Sequence, residues 1–251
     1  MKYKEFSPHI WKTLQENLER VLALDPEPIA AFDADGTLWD FDLGETFFQY
    51  EIDHKLIPLP ADPWEHYEEL KALPGGPQQG YLWLAQIHKG IPIEVIRQWA
   101  QKCIEDVKPV PVFSEQKKLI ELLLSRGVKV YIVTASIKWA VEPGAVLLGI
   151  PPDHVIGVKT EIEDGLVTDR QHGVITYKEG KVHGLLEHTQ GKHPFLASGN
   201  TEGDFALLSS STQIQLAVSA ACRDEKLFKT ESWLQQKASE MGWLSHRFIK
   251  D

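Results

Sequence analysis

The chain has 251 residues, enough to bury a large core, and its 43% hydrophobic and 25% charged content is that of an ordinary water-soluble globular protein. Lys plus Arg number 26 against 36 Asp plus Glu, a formal net charge of −10, which argues against a nucleic-acid backbone as principal partner. Only Cys103 and Cys222 occur, so neither a disulfide framework nor a Cys-rich zinc site is expected, and no apolar run reaches the length of a membrane span.

Taken in order, Ser7-Pro8 reads as a helix cap with proline in the first turn. Ile10, Trp11, Leu14, Leu18, Val21 and Leu22 then recur at helical spacing to about Leu24. Pro28-Ile-Ala-Ala-Phe32 is a short apolar run of buried-strand type that ends abruptly in Asp33, Asp35, Gly36 and Thr37. From about Asp40 to Pro109 no strand is predicted. Helices are expected near Gly44–Leu56, from Asp62-Pro63 to Leu73, and near Gln78–Lys89 and Pro92–Val107, with Pro74-Gly-Gly-Pro77 as a break. This stretch is rich in aromatics, among them Phe47, Phe48, Trp64, Tyr67, Tyr81 and Trp83. Most are expected to form a small core of the segment's own, the alternative being a pocket wall for a cationic group.

Ser114 to Arg126 is predicted helical and Val128–Val133 a buried strand ending in Thr134-Ala-Ser136. A helix from about Ile137 to Leu148 follows, interrupted or delayed by Pro143, and then a strand at Val155–Val158. Asp164-Gly165 between Glu161-Ile-Glu and Leu166-Val-Thr is a hairpin turn. Lys178–Lys181 opens a helix to about His188, and Phe195–Ser198 is a strand ending in Gly199-Asn-Thr-Glu-Gly-Asp204. A short helix at Phe205–Ser209, a strand at Ile214–Val218, a helix near Glu231–Met241 and a last strand through Phe248 complete the chain. Strand–helix alternation favours a parallel sheet, so the fold class expected is α/β, a Rossmann-like mainly parallel core with an inserted helical segment.

Three strands thus end in small polar clusters: Asp33/Asp35, Thr134/Ser136 and Asn200/Asp204. In open α/β sheets ligands bind beyond the carboxyl ends of the strands, and two acids one residue apart repel unless a cation or a proton intervenes. Taken singly each feature has a plainer explanation. Asp-Gly favours turns, a strand-end Thr caps the next helix, a lysine is usually solvated, and an acid favours a helix N-terminus.

Together, Phe32-Asp-Ala-Asp-Gly-Thr37, Val133-Thr-Ala-Ser136, Gly180-Lys181 and the Asn200/Asp204 loop resemble the motifs of the haloacid-dehalogenase-like superfamily, over roughly residues 28–220. Val141-Glu-Pro143 and Leu148-Gly-Ile150 resemble its phosphoserine-phosphatase branch. The resemblance implies an α/β core of residues 1–40 and 109–251 with a helical cap, 41–108, inserted between the first and second motifs. It implies a Mg²⁺-dependent phosphatase of a small phosphorylated metabolite. Asp33 would be the nucleophile and Asp35 the acid and base. Thr134, with its neighbour Ala135, and Lys181 would hold the phosphoryl group. Mg²⁺ would be held by Asp33, by the backbone carbonyl of Asp35, and by Asn200 and Asp204 together. Where the family usually has Gly-Asp this chain has Gly199-Asn200, so weaker Mg²⁺ binding than in an all-acid site is expected.

By spacing, Asp42 takes the place of a substrate-binding Glu of phosphoserine phosphatases, with Glu45 one helical turn on, which suits an amine-bearing substrate such as phosphoserine or phosphocholine. The alternative is a catalytically weakened member that binds a phosphorylated metabolite or partner. A metal-free dehalogenase is disfavoured by Asp35 and the Lys181/Asn200/Asp204 set. No apolar stretch of signal-peptide length follows Met1–Phe6, so a cytoplasmic location is the expectation, with no membrane partner. Oligomeric state is not encoded in any recognisable pattern.

Overall fold

The computed structural model describes residues 3–249. Ser7 accepts the N–H of Ile10 and Pro8 fills the first turn, starting α1 (Pro8–Leu24) with Ile10, Leu14, Leu18 and Val21 on its buried stripe. The first strand, β1 (Ile29–Phe32), is buried along its whole length. Four helices follow: α2 (Leu43–His54), α3 (Pro63–Lys71), α4 (Gln78–Gln86) and α5 (Ile93–Asp106). Next come α6 (Ser114–Ser125), β2 (Lys129–Ile137), α7 (Lys138–Leu147), β3 (Val155–Val158) and the two-stranded ribbon β4 (Thr160–Glu163) and β5 (Leu166–Gln171). The last part holds α8 (Glu179–His188), β6 (Leu196–Gly199), α9 (Phe205–Ser209), β7 (Ile214–Ser219), α10 (Phe228–Met241) and β8 (Leu244–Arg247).

Six strands form one sheet in the order β3-β2-β1-β6-β7-β8, every neighbouring pair parallel. Side chains alternate between its faces as the strand period requires. Ala30, Phe32, Val130, Ile132 and Val218 join a core with α1, α6 and α7. Ile29, Ala31, Val133, Ala197 and Ala217 face the other way, onto α8, α9 and α10. The result is a three-layer α/β fold of Rossmann-like type. The chain leaves β1 toward β2 on one side and returns to β6 on the other, so the crevice between β1 and β6 is the switch point where such sheets bind ligands. Among the described residues no helix is long and apolar enough to cross a membrane.

Three local expectations need correction. The strand ending at Val133 continues as β2 to Ile137, whose partner is Val158 on β3, so Thr134, Ala135 and Ser136 lie within a strand and not beyond one. Nor does Pro143 interrupt α7. Residues Trp139–Ala145 are all buried, against β2, β3 and α5 among others, and that packing carries the helix past the missing N–H. The aromatics of the 41–108 segment do not make a core of their own. Phe47, Phe48 and Tyr67 share one cluster with Ile137, Trp139, Val158 and Val167. Backbone bonds from Gly90 N–H to Val167 O (2.8 Å) and from Ile93 N–H to Gly165 O (3.0 Å) fasten the segment to the β4–β5 ribbon. The ribbon turns where the sequence places it, with Asp164 and Gly165 both at positive φ (50° and 80°).

Candidate active site

Each site residue is placed by the end of an element. The Asp33 N–H donates to Ser198 O (2.9 Å), extending the β1–β6 pairing and aiming the Asp33 carboxylate into the crevice. Gly36 then turns the chain at φ +75°. A Cβ there would lie 2.1 Å from Asn200 Nδ2, so only glycine lets this loop close on the β6 loop. Lys181 lies in the first turn of α8, and the α8 backbone passes so near the Ile175 carbonyl that a Cβ on Gly180 would lie 2.0 Å from its oxygen.

On the floor of the crevice the buried Lys181 ammonium donates to Asp33 Oδ1 and to Asp204 Oδ1, each at 2.5 Å. The other oxygen of Asp204 accepts from the N–H groups of Asn200 (3.1 Å) and Thr201 (2.9 Å) and from Thr201 Oγ1 (3.1 Å). The acid is therefore fully engaged in holding Lys181 and its own loop. Burial, together with the Asp204 charge, pushes the Asp33 carboxyl up to about 7 against the opposing Lys181. Burial works against the Lys181 charge, but the two carboxylates outweigh it and hold its affinity for the proton above the ordinary range.

Asp35 stands at the junction with the helical segment. Its Oδ1 accepts from Trp39 Nε1 and from the Leu43 N–H (2.8 Å each), and its Oδ2 accepts from Ser136 Oγ (2.6 Å). Burial still outweighs these three donors and raises its pKa, which favours a protonated Asp35. Thr134 is buried; its Oγ1 accepts the Ser136 N–H at 3.1 Å, leaving its own proton to donate into the cavity that it and Ala135 line.

Thr37, quoted with the first motif but given no role there, bridges the two loops. Its Oγ1 lies 3.2 Å from both Asp33 Oδ2 and Asn200 Oδ1. One hydroxyl proton serves only one of these acceptors, so the other hard oxygen is left without that donor. Asp33 Oδ2 and Asn200 Oδ1, held on either side of one hydroxyl, are hard oxygens of the kind Mg²⁺ takes as ligands, so the donor types fit that metal. No cluster of three or more His, Cys, Asp or Glu side chains of metal-binding type occurs among the described residues.

Above this floor is a cavity of about 420 Å³ that reaches from the sheet edge to the helical segment. Asp42 caps α2 through its Oδ1, which accepts the Glu45 N–H at 2.7 Å. Burial, with the charges of Asp35 and Glu45, drives the Asp42 carboxyl well above the usual range. Glu45 is partly neutralised by Lys71, 3.4 Å away. Tyr67, Tyr81 and Tyr177 complete the wall, and the last two meet edge to face at 5.7 Å.

Glu231 is the site residue that motif reasoning missed. It sits on α10, is 2% exposed, and accepts Asn200 Nδ2 at 3.0 Å through Oε1. Its one signal in the sequence is an acid on the apolar stripe Glu231/Leu234/Ala238.

The chain matches the profile of the haloacid dehalogenase-like hydrolase family over residues 30–209. A phosphorylcholine phosphatase of Pseudomonas aeruginosa is 24% identical over 190 residues, covering 59% of this chain and 52% of that protein, so the match spans about half of that relative's length. Among solved structures, a functionally unknown conserved protein of Anaerococcus prevotii superposes with a TM-score of 0.69 at 16% identity, over 96% of this chain and 95% of that one. A phosphoserine phosphatase solved as a phospho-aspartyl intermediate analogue superposes with a TM-score of 0.52 at 15% identity, over 89% and 94% of the two chains. At these identities the superpositions establish a shared fold.

Proposed function

Because the chain belongs to the haloacid dehalogenase-like hydrolase family, we propose that it is a Mg²⁺-dependent phosphatase of a small phosphomonoester carrying a cationic amine or quaternary ammonium, working through an aspartyl-phosphate on Asp33. The observation that carries this reading is the buried Asp33–Lys181–Asp204 chain of contacts, at 2.5 Å each, on the floor of the cavity with Thr134 beside it. A buried carboxylate fixed by one lysine, with its second oxygen toward the cavity loops, is a placed nucleophile.

In the first step an Asp33 oxygen attacks phosphorus and the bond to the leaving oxygen breaks. Asp35, whose raised pKa suits a proton donor, protonates that oxygen. In the second step Asp35 takes a proton from water, the water oxygen attacks phosphorus, and the Asp33 carboxylate is released with inorganic phosphate. Lys181 and the Thr134 hydroxyl stabilise the charge on the transferring group. Asp33, the Asp35 backbone carbonyl and Asn200 Oδ1 would hold Mg²⁺, which supplies charge screening between the carboxylate and the phosphoryl group. Asp204 is assigned to Lys181 and not to the metal, since its Oδ1 takes the Lys181 ammonium and its Oδ2 already accepts three donors, where Asp33 Oδ2 shares a single hydroxyl.

The 41–108 segment acts as a cap over the leaving group. Asp42 is its main cation anchor: it is costly to ionise beside Asp35 and Glu45, and a substrate cation removes that cost. The Tyr67, Tyr81 and Tyr177 rings suit a quaternary ammonium, and the relative named phosphorylcholine phosphatase supports phosphocholine as first choice. The test is turnover of phosphocholine, phosphoethanolamine, phosphoserine and p-nitrophenyl phosphate with Mg²⁺ or with EDTA, for the wild type and Asp42→Asn. We expect Mg²⁺-dependent release of phosphate. We also expect the preference for phosphocholine over p-nitrophenyl phosphate, as a ratio of kcat/KM, to fall at least tenfold in Asp42→Asn, about 1.4 kcal/mol. No turnover of any ester would overturn the phosphatase reading, and an unchanged ratio would overturn the role of Asp42.

A further inference from the structure

The Asn200 side chain is an amide where a negatively charged oxygen is the family's usual choice, and an amide can face a cation with the wrong end. Shape alone does not distinguish its oxygen from its nitrogen; hydrogen-bond partners do. Here both ends are assigned. Nδ2 donates to Glu231 Oε1 at 3.0 Å, and Oδ1 lies 3.2 Å from Thr37 Oγ1, on the Asp33 side. Glu231 itself cannot turn away. Its Oε2 accepts the N–H groups of Ala220 (3.0 Å) and Ala221 (2.8 Å) at the end of β7, and the residue is 2% exposed. The positive charge of Arg247 acts on the same carboxylate.

From this geometry we infer that Glu231 is a positioning residue for the metal. It forces the Asn200 oxygen toward the cation, and its buried carboxylate supplies, one residue removed, the negative charge that Asn200 lacks. The two residues act as a split aspartate, the oxygen on one and the charge on the other. Outer partners that orient ligands typically control metal affinity by 10–100-fold. The inference also reverses the simple expectation for Asn200→Asp. That substitution places a second carboxylate about 3 Å from Glu231, and the repulsion opposes the gain from a charged ligand.

The inference rests on the metal-dependent reading above, and the experiment separates the two. Mn²⁺ binding, followed by titration of the free Mn²⁺ electron paramagnetic resonance signal, is measured for the wild type, Glu231→Gln, Asn200→Asp, and the double exchange Asn200→Asp/Glu231→Gln. The double variant keeps one charge and one amide in mutual contact and so preserves the buried pair. We expect Glu231→Gln to bind Mn²⁺ at least tenfold more weakly and the double exchange to return to within about threefold of the wild type, since a purely structural Glu231 would not be rescued by moving the charge to position 200. If Glu231→Gln alone fails to fold, the double exchange carries the test: binding near the wild-type value supports the inference, and binding at least tenfold weaker overturns it. Wild-type affinity in a folded Glu231→Gln overturns it outright. A wild type that binds no Mn²⁺ overturns the metal-dependent reading and this inference with it.

Discussion

Lys181→Met is the substitution with the most sharply defined consequence. The lysine is 2% exposed and holds two carboxylates, Asp33 at 6% and Asp204 at 1%, through contacts of 2.5 Å. Removing one partner of a buried ionic set leaves an uncompensated charge and typically costs about 3–5 kcal/mol. Asp204 keeps three donors on its second oxygen, so the burden of the lost cation falls on Asp33. Asp33 already stands at about 7 with Lys181 present, and losing the cation raises it further. For an acid whose folded pKa lies above its unfolded value, the folded state holds a proton that the unfolded state releases. Its stability contribution is therefore lost as pH rises through the folded pKa. Lys181→Met should accordingly cost about 3–5 kcal/mol at pH 9 and less at pH 6, by at least about 1.4 kcal/mol, the value of one pKa unit. Urea unfolding of both proteins in EDTA at the two pH values measures this. A cost below about 1 kcal/mol, or one independent of pH, would refute the view that Lys181 neutralises a buried pair.

Two further predictions concern the frame around the site. Gly36→Ala must hold alanine at φ +75° with its Cβ 2.1 Å from Asn200 Nδ2, so it should lose roughly 2–4 kcal/mol in urea unfolding, from backbone strain plus overlap; a loss under about 0.5 kcal/mol would show that the loop yields freely. His246, on the edge of the sheet, has its pKa lowered by burial while its Nε2 approaches Lys4 O at 3.2 Å. The unfolded chain then binds the proton more readily, so stability should fall as pH drops from 7 to 5, and the slope of Tm against pH in that window should be shallower in His246→Gln. Equal slopes would remove His246 from the acid response.

The parts of the fold set by short-range chemistry were legible in the sequence. The α1 stripe, the Asp164-Gly165 turn and the helix Phe205–Ser209 follow from side-chain period and turn residues within a few positions of each other. The extension of β2 to Ile137 was not, because it depends on Val158 from β3 offering a second pairing beyond Val133. Nor was the sharing of Trp139 and Val167 with the helical segment, a packing arrangement between parts of the chain far apart in sequence. The site divides in the same way. Asp33, Asp35, Thr134, Lys181 and Asn200 stand in compact motifs and converge on one cavity. Asp204 was legible as a member of the set, but its engagement by Lys181 depends on the depth at which α8 starts. Glu231 lies 31 positions from Asn200 in a helix without a motif, and only the three-dimensional contact gives it meaning.

The covalent bond proposed between Asp33 and phosphorus can be trapped. The protein is mixed with ³²P-labelled phosphocholine and Mg²⁺, quenched in acid within the first turnover expected, and digested for peptide mapping. Label is expected in the peptide spanning residues 29–40, on Asp33, released by hydroxylamine as an acyl phosphate should be, and absent from Asp33→Asn. Turnover with no protein-bound label, or label that persists in Asp33→Asn, would contradict it.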